Sequence, residues 1–197
     1  TMSDADTSFQ GLLNYQRLFT DRRLWEALLH TGIFIVIALP IELMLGLAMA
    51  QLFIEHIPGR AVFVALLVLP VLVSPIVAGA TWSLMFDNRF GPVNQILGWF
   101  AGEPVAMLWT VKANLVYVAI LIAEIWQWTP FMFLLLLAAL SGVDKSQLEA
   151  AAIDGAKPLQ RFWYITWPLL LPVTMVVVLF SVIQTFADFQ IVYVLTG

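Results

Sequence analysis

The sequence has no cysteine, which excludes disulfides and thiolate metal sites. Its two histidines, His30 and His56, stand far apart and lack ligand spacing, so each reads as an interfacial side chain and no metal site is expected. The G-x-x-x-x-G-K-[ST] run that cradles nucleotide phosphates is missing. So is any cluster of His, Asp or Glu at one membrane face, as an integral-membrane enzyme requires. The chain is therefore not expected to be an enzyme. Charged residues are only 11% of the chain, against about 25% in soluble domains. A net charge of −4 supplies no basic footprint, so no nucleic-acid partner is expected. Thr1 to Gln10 is polar and acidic, with no secretory-signal pattern.

What is present is apolar. Hydrophobic residues make up 61% of the sequence, against about 45–50% in soluble domains. They come in uninterrupted blocks rather than half-buried periodic faces. A helix needs about 20 apolar residues to cross a bilayer. Four blocks qualify, at about 25–54, 61–86, 113–140 and 168–187. The expected class is all-α, a polytopic transmembrane helical bundle, with residues 1–197 forming one domain. The lipid bilayer is its first expected partner. Both ends look cut from something longer.

Each block carries its own marks. In the first, Pro40 is expected to kink the helix, Glu42 to make a buried structural hydrogen bond, and Gly46 and Ala50 to form a small-xxx-small packing surface. Glu55 to Arg60 is a tight turn on Pro58-Gly59, which makes the first two spans antiparallel neighbours. The second block has no charge. Pro70 and Pro75 predict a bent helix, beside a cavity or as a static packing kink. The polar stretches outside the spans predict short helices over Asn14 to Phe19 and Val93 to Phe100.

In the third block, Glu124, Gln127, Trp128 and Phe131 follow i, i+3, i+4, i+7 and are expected to share a face, with Pro130 breaking the helix nearby. Ala138 and Gly142 offer a second close-packing pair. In the fourth, Thr174, Ser181, Gln184 and Asp188 fall near one stripe. Ionisable groups inside a span are costly unless they face a cavity or a partner. An amide beside an aromatic plate suits a sugar, whose hydroxyls want hydrogen bonds and whose C–H face wants a ring. Glu124, Gln127, Trp128, Phe131, Ser181, Gln184 and Asp188 are thus candidates for a substrate path. Interhelical packing is the alternative, and solvent contact is the alternative for Asp188.

Between the third and fourth blocks lies the one long polar stretch flanked by strongly apolar segments, SQLEAAAIDGAKPLQRFWYITWP, Ser146 to Pro168. Ser146 with Glu149 three residues on has the form of a capping box. Gly155 is suited to ending that helix and Pro158 to starting another. Ala150, Ala151 and Ala152 leave one side of the first helix with little bulk. A second surface can come close there, although an ordinary helix on the membrane surface has the same pattern.

Glu149-Ala150-Ala151, Asp154-Gly155-Ala156, Ile165, Pro168 and Pro172 together resemble the EAA loop of ABC-importer permeases. Trp126 to Pro172 is similar to the carbohydrate-type subfamily, the maltose, trehalose and glycerol-phosphate permeases. Trp167 departs from the usual Leu before Pro, a tolerable change between bulky apolar residues. The resemblance implies a cytoplasmic coupling loop at 141–167 that docks on a separate ATPase through Ser146, Glu149, Ala150, Ala151, Asp154, Gly155, Ala156 and Phe162. It also implies ATP and Mg2+ held by that partner and no cofactor in this chain. A second homologous permease, an extracytoplasmic solute-binding protein and a carbohydrate substrate follow in the same way. Such permeases usually have six spans, so one is expected before Thr1 and one after Gly197. The location implied is a bacterial or archaeal cytoplasmic membrane.

Charge does not orient the chain. Arg60, Lys145, Lys157 and Arg161 lie on the EAA side, and Arg17, Arg22, Arg23, Arg89 and Lys112 on the other. The resemblance alone puts the EAA loop inside. An ATP-independent transporter or channel is the rival class, but it predicts internal repeats and paired intramembrane charges, and neither is evident.

Overall fold

The computed structural model describes residues 12–55, 57–187 and 190–196. Among these there are helices and no strands. Three helices are long and apolar enough to cross a membrane, or four if a bent pair counts as one span.

A short helix, α1 (Leu13–Thr20), leads into α2 (Arg22–Phe53). Asp21 caps α2 by accepting from the Arg23 amide at 2.9 Å. Pro40 lies inside α2 without ending it. A turn with Gly59 at φ 74° opens α3 (Arg60–Leu72). Then the chain breaks at Val73 and Ser74, and α4 (Pro75–Met85) leaves at 96° to α3. Pro75 has no N–H to continue the ladder, and the residue before a proline is pushed out of the helical region. The bend expected from Pro70 and Pro75 is therefore a full break, placed at the second proline and not the first.

Beyond α4 come α5 (Pro92–Ala101) and α6 (Ala113–Ser141). The expected break at Pro130 does not occur, and α6 runs through it. Within a membrane helix a lone proline removes one ladder bond, which neighbouring helices help to offset.

α6 is the spine. It packs on α2, α3, α4, α9 and α10, the last two being Trp167–Ala187 and Gln190–Thr196. α2 and α6 run parallel. Phe34 stacks on Tyr117 at 5.3 Å near one end. Near the other, a Cβ at Gly46 would sit 2.6 Å from Met132 Cβ and 2.9 Å from the Phe133 amide. Only glycine allows that approach. Gly46 and buried Ala50 thus act as the small-residue surface their spacing suggested. Ala138 and Gly142 do not: both are exposed, with only the Ala139 carbonyl near Gly142.

Two apolar clusters lie along α6. One joins Ala50 to Phe133, Leu136, Leu137, Leu140 and Leu170. The other joins Phe86 and Trp109 to Ala119, Ile120, Ala123 and Ile191. Outward faces of the long helices stay apolar and exposed, as at Val36, Met44, Leu72 and Val176. Lipid is the solvent that makes such a surface favourable.

Candidate functional site

The polar segment between α6 and the last long helix forms α7 (Lys145–Ile153), a short helix projecting from one end of the bundle. Its cap corrects the sequence reading. Asp144, not Ser146, is the N-cap, and its Oδ1 accepts from the Ser146 amide at 2.9 Å. The Ser146 hydroxyl donates to Asp144 Oδ2 at 2.8 Å. A carboxylate accepts more strongly than a hydroxyl, so it takes the cap. These two bonds hold the Asp144 carboxyl below the usual carboxylate range. Glu149 is therefore not the third residue of a capping box, and its side chain is exposed.

The other end of α7 follows the sequence closely. Gly155 takes φ 83°, and its amide bonds to the Ala152 carbonyl. The Ala156 amide reaches back to Ala151 at 2.9 Å. This is a Schellman turn, and the left-handed residue it needs is the glycine of Asp154-Gly155-Ala156.

Pro158 opens α8 (Pro158–Arg161) as its first residue, with the Gln160 Oε1 accepting from the Lys157 amide at 2.8 Å. This is not a separate second helix. It passes through a π turn, Phe162–Thr166, straight into α9 (Trp167–Ala187), giving 30 continuous residues from Pro158. The last span thus starts ten residues earlier than its apolar block. The end of the polar segment and the span are one rod with a wide turn in it.

Behind α7 is a cleft of about 670 Å³ lined by Gln51, Glu55, Lys145, Glu149, Arg161 and Phe162, among others. Arg161 ties the two halves weakly: Nη1 donates to the Leu148 carbonyl at 3.5 Å, while buried Nε has no partner among the described residues. On the outward side Ala150, Ala152 and Asp154 are exposed, Ala151 and Ala156 half-buried. Ile153, fully apolar, is 87% exposed.

The second candidate group lies mid-bundle, and the structure divides it. Phe131 turns toward α9, where it meets Phe180 at 5.0 Å next to half-buried Ser181, and Trp128 packs edge-on against Phe131. Glu124 is buried and lines a cavity of about 70 Å³ with Thr31, Phe34, Ala38 and Thr185. That holds about two waters at ~30 Å³ each, and no sugar. Gln184 is half-buried. Asp188 lies outside the described residues. Gln127 faces elsewhere: it is 1% exposed, and its Nε2 donates to the Val73 carbonyl at 2.9 Å, at the break between α3 and α4. One helical step of 100° separates it from Trp128, enough to aim the two at different neighbours. Glu42 is buried in α2, but the expected hydrogen bond is not found among the described residues. The described residues hold no cluster of metal-binding side chains. His30 pairs with Tyr117, and His56 lies outside the described residues.

Sequence reasoning missed Asn94. It is buried in α5, donates to the Met107 carbonyl at 3.0 Å, and accepts from the Met107 amide at 3.3 Å and Trp109 Nε1 at 2.8 Å. A lone Asn in a polar connection carries no pattern that marks it.

An apolar bundle wound on one spine, with three or four helices long and apolar enough to span and a capped helical knob at one end, defines a multi-pass membrane protein. Residues 19–197 match the family described as "binding-protein-dependent transport system inner membrane component", and the chain belongs to it. Among curated relatives, the trehalose/maltose transport system permease protein MalF of Thermococcus litoralis is 40% identical over 189 residues, which is 96% of this chain and 63% of that protein. The trehalose transport system permease protein SugA of Mycobacterium tuberculosis is 32% identical over 192 residues, 98% of this chain and 61% of that one. The chain thus spans a little under two thirds of these relatives. In fold it is similar to a chain of a bacterial ABC transporter involved in the import of alginate, at TM-score 0.76 and 19% identity, over 97% of this chain and 70% of the other.

Proposed function

We propose that this chain is the permease subunit of an ATP-driven ABC importer that carries a sugar or oligosaccharide across the cytoplasmic membrane by alternating access. The observation that carries the reading is α7, held between the spine and the last span with its alanine face and Ile153 open to solvent. A separate ATPase, with its ATP and Mg2+, docks there. Closure of that partner pushes the knob, and the continuous Pro158–Ala187 rod carries the motion into the bundle. A second permease subunit completes the path, and a solute-binding protein delivers sugar from outside. Glu124, Trp128, Phe131, Ser181 and Gln184 are proposed to line that path once it opens. The names of MalF and SugA support a sugar as cargo, since both are described as permeases for trehalose or maltose.

The test uses the assembled transporter in proteoliposomes. Glu149→Lys reverses the charge of an exposed α7 side chain at the rim of the cleft, outside both apolar clusters. ATP-driven uptake of labelled trehalose or maltose is expected to drop at least tenfold, with membrane insertion unchanged. Wild-type uptake by this variant defeats the docking reading. Uptake that needs no ATPase favours a secondary transporter.

A further inference from the structure

We propose that Gln127 is a clamp that holds the second span in its broken shape. The proposal goes beyond the permease reading, and only its transport arm rests on that reading. A continuous helix would satisfy the Val73 carbonyl with the Val77 amide. The break at Val73 and Ser74 removes that partner. Ser74, one residue on, recovers its own bond, its carbonyl accepting from the Ala78 amide at 2.9 Å. Val73 is the extended residue that ends α3, φ −77° and ψ 132°, and no backbone amide among the described residues is found on its carbonyl. The side chain of Gln127 crosses from the spine and donates to it at 2.9 Å.

Three features make this more than incidental packing. Gln127 is 1% exposed and reaches a half-buried Val73, so its donor is committed to this carbonyl and not to solvent. Its Oε1 has no partner among the described residues, so the amide is held by the one bond to the break. And α4, once turned away at 96°, is seated by a close approach in which a Cβ at Gly79 would lie 3.1 Å from Val194 Cβ. The clamp and that seat fix the two arms separately. Straightening the second span requires the Gln127 bond to open and lets the Val73 carbonyl return to the helix ladder. Gln127 is thus a positioning residue, acting through the shape of α3 and α4.

Residues 1–197 hold no cysteine, so within them two introduced thiols are the only ones, and any cysteine outside them is changed to serine first. Val62→Cys on α3 and Leu84→Cys on α4 are at exposed positions. Each stands eleven residues from Val73, an arm of about 16 Å at 1.5 Å per residue. With the arms bent by 96°, the label sites lie about 22 Å apart, against about 33 Å if straight. Spin-label distances are measured on the full-length protein in nanodiscs. The wild-type background is expected to give a narrow distribution near the shorter value. Gln127→Met, which keeps bulk but cannot donate, and Gln127→Asn, one carbon too short, are each expected to broaden it toward longer distances. A distribution in either folded variant that matches wild type in mean and width overturns the proposal. In the assembled transporter the variants are expected to lower maximal uptake at least fivefold with half-saturating sugar unchanged. A shifted half-saturation with unchanged distances would instead make Gln127 a substrate contact. The distance result stands even if wild-type uptake proves independent of ATP.

Discussion

Asn94 and Glu149 are both polar residues on short helices outside the spans, and the fold treats them in opposite ways. Asn94 is buried on α5 and spends its amide on three groups of the loop that follows. Around it, Asp87 Oδ1 accepts from the Arg89 and Phe90 amides, and a Cβ at Gly91 would strike the Asp87 carbonyl at 2.3 Å. The loop at that end is tied down by its own sequence, although Trp99 and Phe100 on the same helix stay bare at 79% and 76% exposed. Glu149 on α7 is exposed, and so are Ala150, Ala152 and Ile153 around it. There the chain stabilises a shape and leaves its surface unspent. A loop tied in this way takes its shape from its own side chains. An open end with a fixed shape is what a docking partner requires.

The largest expected effect comes from untying the loop after α5. Asn94→Ala leaves the Met107 amide and carbonyl and Trp109 Nε1 without their partners. Of these only the Trp109 Nε1 bond is buried, while Met107 is exposed, so one orphaned buried group at about 1–3 kcal/mol sets the expected loss. Thermal unfolding of the purified protein in detergent should fall by several degrees, and the 102–112 loop should become sensitive to protease. Glu149→Lys should leave both readouts at wild-type values. If the two variants lose equal stability, the contrast between the ends is wrong.

Next comes Gly155→Pro. At φ 83° a proline ring cannot fit, and the amide that bonds to Ala152 is lost. The Schellman turn opens and α7 loses its fixed exit angle. ATP-driven uptake should be abolished, while insertion and unfolding temperature stay close to wild type, because the turn is exposed. Gly155→Ala, which pays only for the left-handed backbone, about 1 kcal/mol, should keep most of the uptake. Normal transport by the proline variant would mean that the shape of the knob is not what matters.

These residues also mark what the sequence made legible. The spans showed as uninterrupted apolar blocks, and the end of α7 as Gly155, because each depends on a residue type with one physical use. Gly46 and Ala50 were legible as a packing surface for the same reason. Asn94 was not, since its three partners are 13 and 15 residues away and become neighbours only when the loop folds back. Nor was the join of α8 to α9, because a π turn has no residue signature to separate it from a loop. The start of α7 was misplaced by two residues, since Asp144 and Ser146 are both good caps and the sequence alone does not rank them. The i, i+3, i+4, i+7 spacing placed Gln127 with Trp128, but a face that wide touches two neighbours.

The smallest expected effect concerns that misplaced start. If Asp144 is the cap, then Asp144→Ala should speed amide exchange at Ser146 and fray the first turn of α7, whereas Ser146→Ala, which removes only a hydroxyl donor, should change it far less. The cap should also answer to pH in a definite direction. Its hydrogen bonds from Ser146 hold the folded carboxyl below the usual range, so the unfolded turn binds a proton first as pH falls. The contribution of the cap is full above the ordinary carboxylate value and fades as pH drops through the lowered one. Amide exchange at Ser146, corrected for intrinsic rates, should therefore be flat through neutral pH and rise only in acid, with the Asp144→Ala variant showing no such step. A step that survives in Asp144→Ala but vanishes in Ser146→Ala would return the cap to Ser146 and make Glu149 its partner. In that case α7 would lose one of its ionised groups to the chain itself, and the two ends of the bundle would be more alike than Asn94 and Glu149 suggest.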